Sequence, residues 1–385
     1  MRTVDRWLRR SLVATVVLAA SAFLPQRPSQ AMPIFAQRYQ LRCAACHTVL
    51  PELNAFGNAF RDHGFRLPPA APVHGNTGVA LRYNNEYEAD PVPGMRRFTP
   101  TASLLSEQNI GAIGAYLHYN VGAGGAPGAP YLGYLVTYNE HTHSLYRLGL
   151  YELPLTQSPG QRLDDIAEYG YLGTTVGQND LALNAPRLGF EAQRDVGQTR
   201  IATSIAFGEF KGAAYGGAPV FDNVSTRAAR PEIELFAHGP LLRNVDFNAE
   251  IIDGERAIRL PSRSPFDDPY ARLGFGFETS FLKKRLDLEA QQWLGRDNDA
   301  DGAGNAVDSS GGYARLKYFV TPHFYTAARY DTAANPFPTR GFVFYAGALV
   351  TGHARLEIEE RLNALHGSSQ FGGEFIVGFP WPLGY

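Results

Sequence analysis

The chain of 385 residues carries 35 Lys and Arg against 37 Asp and Glu, a formal charge of −2 that offers no basic surplus to nucleic acid. Past the N-terminus, no stretch approaches the roughly 18 consecutive apolar residues of a membrane-spanning helix. A nucleic-acid binder and a helical membrane protein are thereby excluded, and a chain built largely of strands is left open.

Residues 1–31 read as a secretory signal peptide. Arg2, Arg6, Arg9 and Arg10 precede the apolar run SLVATVVLAASAFL at 11–24, and Ser29-Gln30-Ala31 offers the small residues of a cleavage site. Cleavage after Ala31 removes five Arg and one Asp, so the exported chain of 354 residues has a formal charge of −6.

Residues 32–75 hold both cysteines of the chain, within LRCAACHTVLPELNAFGNAFRDHGF at 41–65. Two cysteines in an exported protein can form a disulfide, and C-x-x-C also occurs in zinc sites and in thioredoxin-like redox pairs. The redox pair belongs in a βαβ setting, and none surrounds this one. Cys43-Ala44-Ala45-Cys46-His47 matches C-x-x-C-H, in which two thiols bond the vinyl groups of a c-type haem and the next imidazole ligates its iron. The expected cofactor is therefore one covalent haem c on Cys43, Cys46 and His47. Leu53, Phe56 and Phe60 then recur at helical spacing as an apolar stripe expected to cover one face of the ring, with Gly57 admitting close approach. Ordinary packing on protein is the plainer reading of such a helix.

The stretch FAQRYQLRCAACHTVLPELNAFGNAFRDHGF at 35–65 resembles the N-terminal segment of fused monohaem cytochrome-porins of the outer membrane, a family that includes the iron oxidases of iron-oxidising bacteria. The family pattern, F-A-R-Q, then C-x-x-C-H-T, then P-x-L-x-x-F-G-x-x-F-K-x-x-G-Y, is kept at Cys43, Cys46, His47, Thr48, Pro51, Leu53, Phe56, Gly57, Phe60 and Gly64. Arg61 stands for Lys and Phe65 for Tyr. The resemblance ends there, and it implies electron transfer more firmly than it implies iron.

Residues 76–385 lose the helical period. Short alternating stretches separated by Gly, Pro, Asn and Asp replace it, as strands do. Val245, Phe247, Ala249 and Ile251 alternate with Asp246, Asn248 and Glu250, and Ala354, Leu356 and Ile358 with Arg355, Glu357 and Glu359. Sixteen strands are expected, at 78–87, 97–106, 109–121, 131–140, 143–152, 181–193, 199–210, 231–239, 244–252, 268–281, 285–295, 311–320, 323–332, 340–351, 353–362 and 371–379. Short turns such as 141–142 and 321–323 interleave with long loops at 153–180, 211–230, 253–267 and 296–310. A soluble sandwich also alternates, but only an outer-membrane barrel sorts its connections this way, with short periplasmic turns and long outside loops. The predicted fold is an all-β transmembrane antiparallel barrel of about sixteen strands preceded by a short α-helical monohaem segment. Charged faces then line the lumen, apolar faces meet outer-membrane lipid, and Tyr and Phe supply interfacial girdles. The end FPWPLGY, with two prolines, suits a closing strand only in part.

Three smaller signals complete the reading. Asp297, Asp299, Asp301, Gly302, Asn305 and Asp308 are spaced like a calcium loop, except that Asp stands where Glu usually closes it, so Ca²⁺ is a candidate and a solvated acidic turn the plain alternative. For the sixth iron ligand the candidates, in order, are His63, Met95 and His74. No Ser, His and carboxylate arrangement points to hydrolysis.

Together these features predict an outer-membrane electron-transfer protein. The haem segment enters the lumen as a plug, accepts electrons from an extracellular donor such as Fe(II) and passes them to a periplasmic cytochrome or similar carrier. The hydrocarbon layer is about 30 Å thick, too far for tunnelling from one side to a haem on the other. The alternatives are a diffusion porin with a structural haem plug, and a conduit for a donor other than iron.

Overall fold

Alternation between two solvents, lipid outside and water inside, shapes everything after residue 78. The computed structural model describes residues 33–39, 41, 43–49, 52–67, 78–89, 96–121, 129–155, 166, 169–172, 176–179, 181–211, 220–222, 230–258, 264–334, 339–351, 354–365 and 368–381. The signal peptide, His74, Met95 and the junction at 75–76 lie outside the described residues.

Among the described residues three short helices come first, α1 (Pro33–Tyr39), α2 (Cys43–Cys46) and α3 (Ala55–Asp62). The strands follow as β1 (Val79–Ala89), β2 (Arg96–Ile110), β3 (Ile113–Val121), β4 (Ala129–Asn139), β5 (Ser144–Tyr151), β6 (Arg187–Val196), β7 (Thr199–Lys211) and β8 (Val220–Asp222). Then come β9 (Glu232–Leu242), β10 (Val245–Ile258), β11 (Phe266–Phe281), β12 (Leu286–Asp297), β13 (Val307–Thr321), β14 (Phe324–Ala334), β15 (Thr339–Thr351), β16 (Ala354–Asn363) and β17 (Ser368–Trp381).

Each barrel strand pairs antiparallel with its neighbours, and β1 pairs with both β2 and β17, which closes the ring. The small strand β8 pairs only with the end of β7, while β7 continues directly to β9, so the barrel has sixteen strands. Closure removes the exposed sheet edges that lipid could not satisfy.

The two faces separate as the alternation requires. Leu148, Leu273, Phe275, Leu294, Leu316 and Phe344 are exposed on the outside, whereas Glu191, Lys317, Arg355 and Glu357 are buried within the barrel. Six tight connections among the described residues gather at one end, among them Gly111–Ala112, 140–143, Gly197–Gln198 and 282–285. Gly197 has φ of 66°, the left-handed conformation that a two-residue turn between β6 and β7 demands.

Several strands are longer than expected. β10 runs on to Ile258 and pairs there with Phe266–Ala271, so much of the expected 253–267 loop is ladder. β6 begins at Arg187, because residues 181–186 turn inward. The Arg187 guanidinium donates to the carbonyls of Ala182 and Ala185 at 3.0 and 2.8 Å, closing that turn. The proline-bearing end joins the sheet, since Pro380 pairs only with Ala80 of β1, beyond the last β16 partner of β17.

Candidate functional site

The segment 33–67 lies inside the barrel. Ile34, Phe35, Phe60 and Phe65 pack with Tyr116, Tyr134, Val136 and Leu145 of β3, β4 and β5. On the other side Val49 packs with Phe319, Tyr325 and Val343 of β13, β14 and β15. Its depth is set by its partners. Arg66 donates to Asn109 and to the Gly111 carbonyl at the β2–β3 turn, and the His63 ring lies 4.4 Å from that of Tyr138, just before the β4–β5 turn. Asp62 pairs with Arg200, just after the β6–β7 turn. The segment therefore fills the short-turn end of the lumen.

Within the segment, α2 and α3 are locked together through backbone. Asn54 caps α3, accepting from the Gly57 N–H at 2.9 Å, and its amide donates to the Ala45 carbonyl at 3.1 Å. The Asn54 N–H donates to the Cys46 carbonyl at 2.9 Å. A Cβ on Gly57 would stand 2.0 Å from that carbonyl oxygen, so only glycine lets α3 rest on α2. Gly57 thus serves a helix contact, where the sequence suggested approach to a flat ring.

His47 follows α2 and bridges to Leu53. Its Nδ1 lies 3.2 Å from the Glu52 carbonyl, which can only accept, so Nδ1 carries the proton and Nε2 the lone pair. The Thr48 N–H donates to the same carbonyl at 3.2 Å. Cys46 is a half-buried free thiol, and burial pushes its pKa up, as suits a neutral thiol rather than a reactive thiolate. Phe56 is 42% exposed one residue from the Gly57 contact, while Phe60 turns away into the rings of Phe35, Tyr39 and Phe65. The expected stripe is therefore divided: Phe60 packs on protein, and Phe56 remains an uncovered apolar surface beside the C-x-x-C-H turn. A thiol outside any disulfide, an imidazole with its tautomer fixed for ligation through Nε2, and that surface fit a c-type haem.

Glu52 and Asp62, which no motif singled out, fasten the segment to the wall. The Glu52 carboxylate accepts from Arg315 at 3.2 Å and pairs with Lys317, both facing inward from β13. Burial raises the Asp62 carboxyl, but Arg61 and Arg200 outweigh it and hold the group below the usual carboxylate range. Arg38 pairs with the fully buried Glu107 of β2.

The remaining candidates behave differently. The four acidic residues of the calcium-like loop do not converge. Asp297 turns inward to Arg272 at 2.9 Å and Asn179 at 2.8 Å, Asp299 and Asp301 accept from Gly304 and Ala303 of their own loop, and Asp308 pairs with Arg296. Among the described residues no cluster of three metal-ligating side chains exists. The His63 Nδ1 is tied to the Ala59 carbonyl at 2.5 Å, with the ring on Tyr138.

Further up the lumen, parts of the long β5–β6 connection fold inward. Leu153, Leu155, Tyr169, Tyr171, Leu181 and Leu183 pack on Ile252, Tyr270, Trp293 and Tyr313, and the Arg329 guanidinium sits 3.9 Å from the centre of the Tyr169 ring. The lumen is thus narrowed from the wall at a second level.

No protein-family model matches the chain, and none of the curated proteins does. Solved structures do. A loop-deletion mutant of OmpT, an outer membrane protein of Vibrio cholerae, aligns with a TM-score of 0.57 at 9% identity, covering 79% of this chain and 99% of that one. An anion-selective porin from Comamonas acidovorans gives 0.56 at 11% identity with the same coverage. The outer membrane channel DcaP of Acinetobacter baumannii gives 0.52 at 10%, over 79% and 96% of the two chains. Together with the apolar outer belt, the closed sixteen-strand barrel is the fold of Gram-negative outer-membrane porins, set in the lipid of that membrane.

Proposed function

We propose that the protein is an outer-membrane cytochrome-porin in which one haem c, held by Cys43, Cys46 and His47, relays electrons from extracellular Fe(II) to a periplasmic cytochrome. The observation that carries this reading is the place of the C-x-x-C-H turn: inside the lumen, with the His47 proton committed to the Glu52 carbonyl. When bound, the haem supplies a one-electron couple. The chain does the rest. His47 would hold the iron through Nε2 and Phe56 would offer apolar surface, while the wall pairs at Glu52 and Asp62 hold the segment in register.

The short-turn position refines the expectation that a plug alone would bring the haem within reach of outside donors. The barrel brings the donor to the segment. On this reading the donor is a small hydrated cation that descends the lumen past the inward β5–β6 connection, and a donor the size of a protein is excluded. Periplasmic carriers meet the segment at the end where the short turns lie.

In sealed vesicles with the long loops outward, Fe(II) added outside should reduce the haem and an enclosed cytochrome should reoxidise it. A donor the size of a protein should do neither, and His47→Ala should abolish transfer in an assembled barrel. Failure of Fe(II) at a pH where the potentials favour transfer removes iron as donor, while reduction by another small donor keeps the conduit. The likeness to porins favours a second reading, a diffusion porin with a structural plug. Ion conductance in planar bilayers together with a haem inert to outside donors would establish that one.

A further inference from the structure

We propose that Glu52 is a positioning residue that couples the axial histidine to the barrel wall; this assignment rests on the haem reading above. One residue here faces two ways. Its backbone carbonyl accepts from the His47 Nδ1–H at 3.2 Å and from the Thr48 N–H at 3.2 Å. Its carboxylate accepts from Arg315 at 3.2 Å through Oε1 and pairs with Lys317 through Oε2. Arg315 and Lys317 are 4% and 0% exposed, two positions apart on the inward face of β13, and so belong to the rigid wall.

The clamp continues beyond these two cations. Arg315 donates at 2.8 Å to Glu289 of β12, Glu289 accepts from the Tyr313 hydroxyl, and the Tyr313 ring lies 4.3 Å from that of Tyr169 on the inward β5–β6 connection. Residues 52–54 lie in no helix of their own, between the His47 turn and α3. The aim of the Glu52 carbonyl is therefore set by strands some 260 residues away in sequence, through pairs at separations of 263 and 265. A carbonyl held on Nδ1–H makes an imidazole a stronger donor to its metal and favours the more oxidised state.

This assignment gives substitutions of opposite sign. Glu52→Gln loosens the carbonyl, removes a negative charge and leaves Arg315 and Lys317 less compensated. All three changes disfavour the oxidised haem, so the midpoint potential rises. Lys317→Gln leaves the carbonyl held through Arg315 but the Glu52 charge less compensated, so the potential falls. Lys317→Arg restores the charge and keeps it near that of the parent protein. Lost charge alone also moves the two Gln variants in opposite directions, so the readout specific to the coupling is the His47 Nδ1 proton, which exchanges faster in Glu52→Gln and at the parent rate in Lys317→Gln.

The test is a redox titration of the full-length, haem-matured protein and these three variants in detergent, with NMR of the His47 Nδ1 proton. Opposed shifts, with faster solvent exchange of that proton in Glu52→Gln, support the coupling. Retained haem with unmoved potentials, shifts of one sign, or opposed shifts with unchanged exchange of that proton, overturns it and leaves the haem reading intact. Should Glu52→Gln fail to give a heat-modifiable barrel, the double variant Arg315→Gln/Lys317→Gln, which frees the same carboxylate from both wall cations, takes its place: faster exchange of the His47 Nδ1 proton supports the coupling, and an unchanged rate overturns it. A parent protein without covalent haem overturns both readings.

Discussion

Asp62 of the lumenal segment and Arg200 of β7 form an ion pair across 138 residues of sequence, with Asp195 holding the same guanidinium at 2.7 Å. Asp62 is buried, and its carboxyl is held below the usual range, so its contribution to docking is fully present above the unfolded value of about 3.9 and is lost as pH falls through the lower, folded value. Protease protection of residues 33–67 should hold from neutral pH to about 4 and decline below it. Asp62→Asn should weaken docking by about 1–3 kcal/mol at pH 7 and flatten the acid limb. An unchanged profile in the variant would remove Asp62 as the acid-sensitive latch.

Gly57→Ala should push α3 off the Cys46 carbonyl, at a cost of about 1–3 kcal/mol. The expected outcome is less haem per assembled barrel, measured as the ratio of haem absorbance to heat-modifiable protein. Ala59→Ser, on the exposed side of α3, serves as control and should leave the ratio unchanged.

Thioether attachment predicts that haem stain stays with the denatured protein after expression in a host that matures c-type haem. Cys46→Ser should weaken or lose it, because a single thioether is left. A colourless parent band ends the haem reading and returns the segment to a structural plug.

Barrel orientation is tested by surface tags. Asn305 lies in the β12–β13 connection and Thr142 in the tight β4–β5 turn, at opposite ends of the ring. An epitope at Asn305 should be labelled on intact cells and one at Thr142 only after permeabilisation. Labelling of both without permeabilisation would contradict the assignment of ends.

The sixteen barrel strands could be read from the chain because lumen and lipid impose opposite demands at every second residue, as at Asn248 and Glu250 inside against Ile251 outside. What escaped that reading had no period. The inward turn at 181–186 depends on Arg187 reaching back to two carbonyls, and β8 depends on a three-residue match with Glu209–Lys211. Glu52 and Asp62 carried no signal in sequence because their partners are on distant strands. The acidic run at 297–308 shows the reverse: ligand-like spacing whose first member, Asp297, is already engaged by Arg272 and Asn179. The C-x-x-C-H spacing of Cys43, Cys46 and His47 was plain in sequence, whereas the tie from His47 through Glu52 to the wall depends on Arg315 and Lys317, far along the chain.

Ring closure by the first and last strands also sets what the lumenal segment can brace. Its described part ends at Leu67, only a dozen residues before β1 opens at Val79, and β1 is zipped to β17 as far as Trp381. The segment meets the wall at Glu107 of β2, Arg200 of β7 and Lys317 of β13, three strands spread around the ring. The hydrogen-bond ladder links those strands only through their neighbours, whereas the segment joins them across the lumen. It acts as an internal strut of the ring as well as its filling.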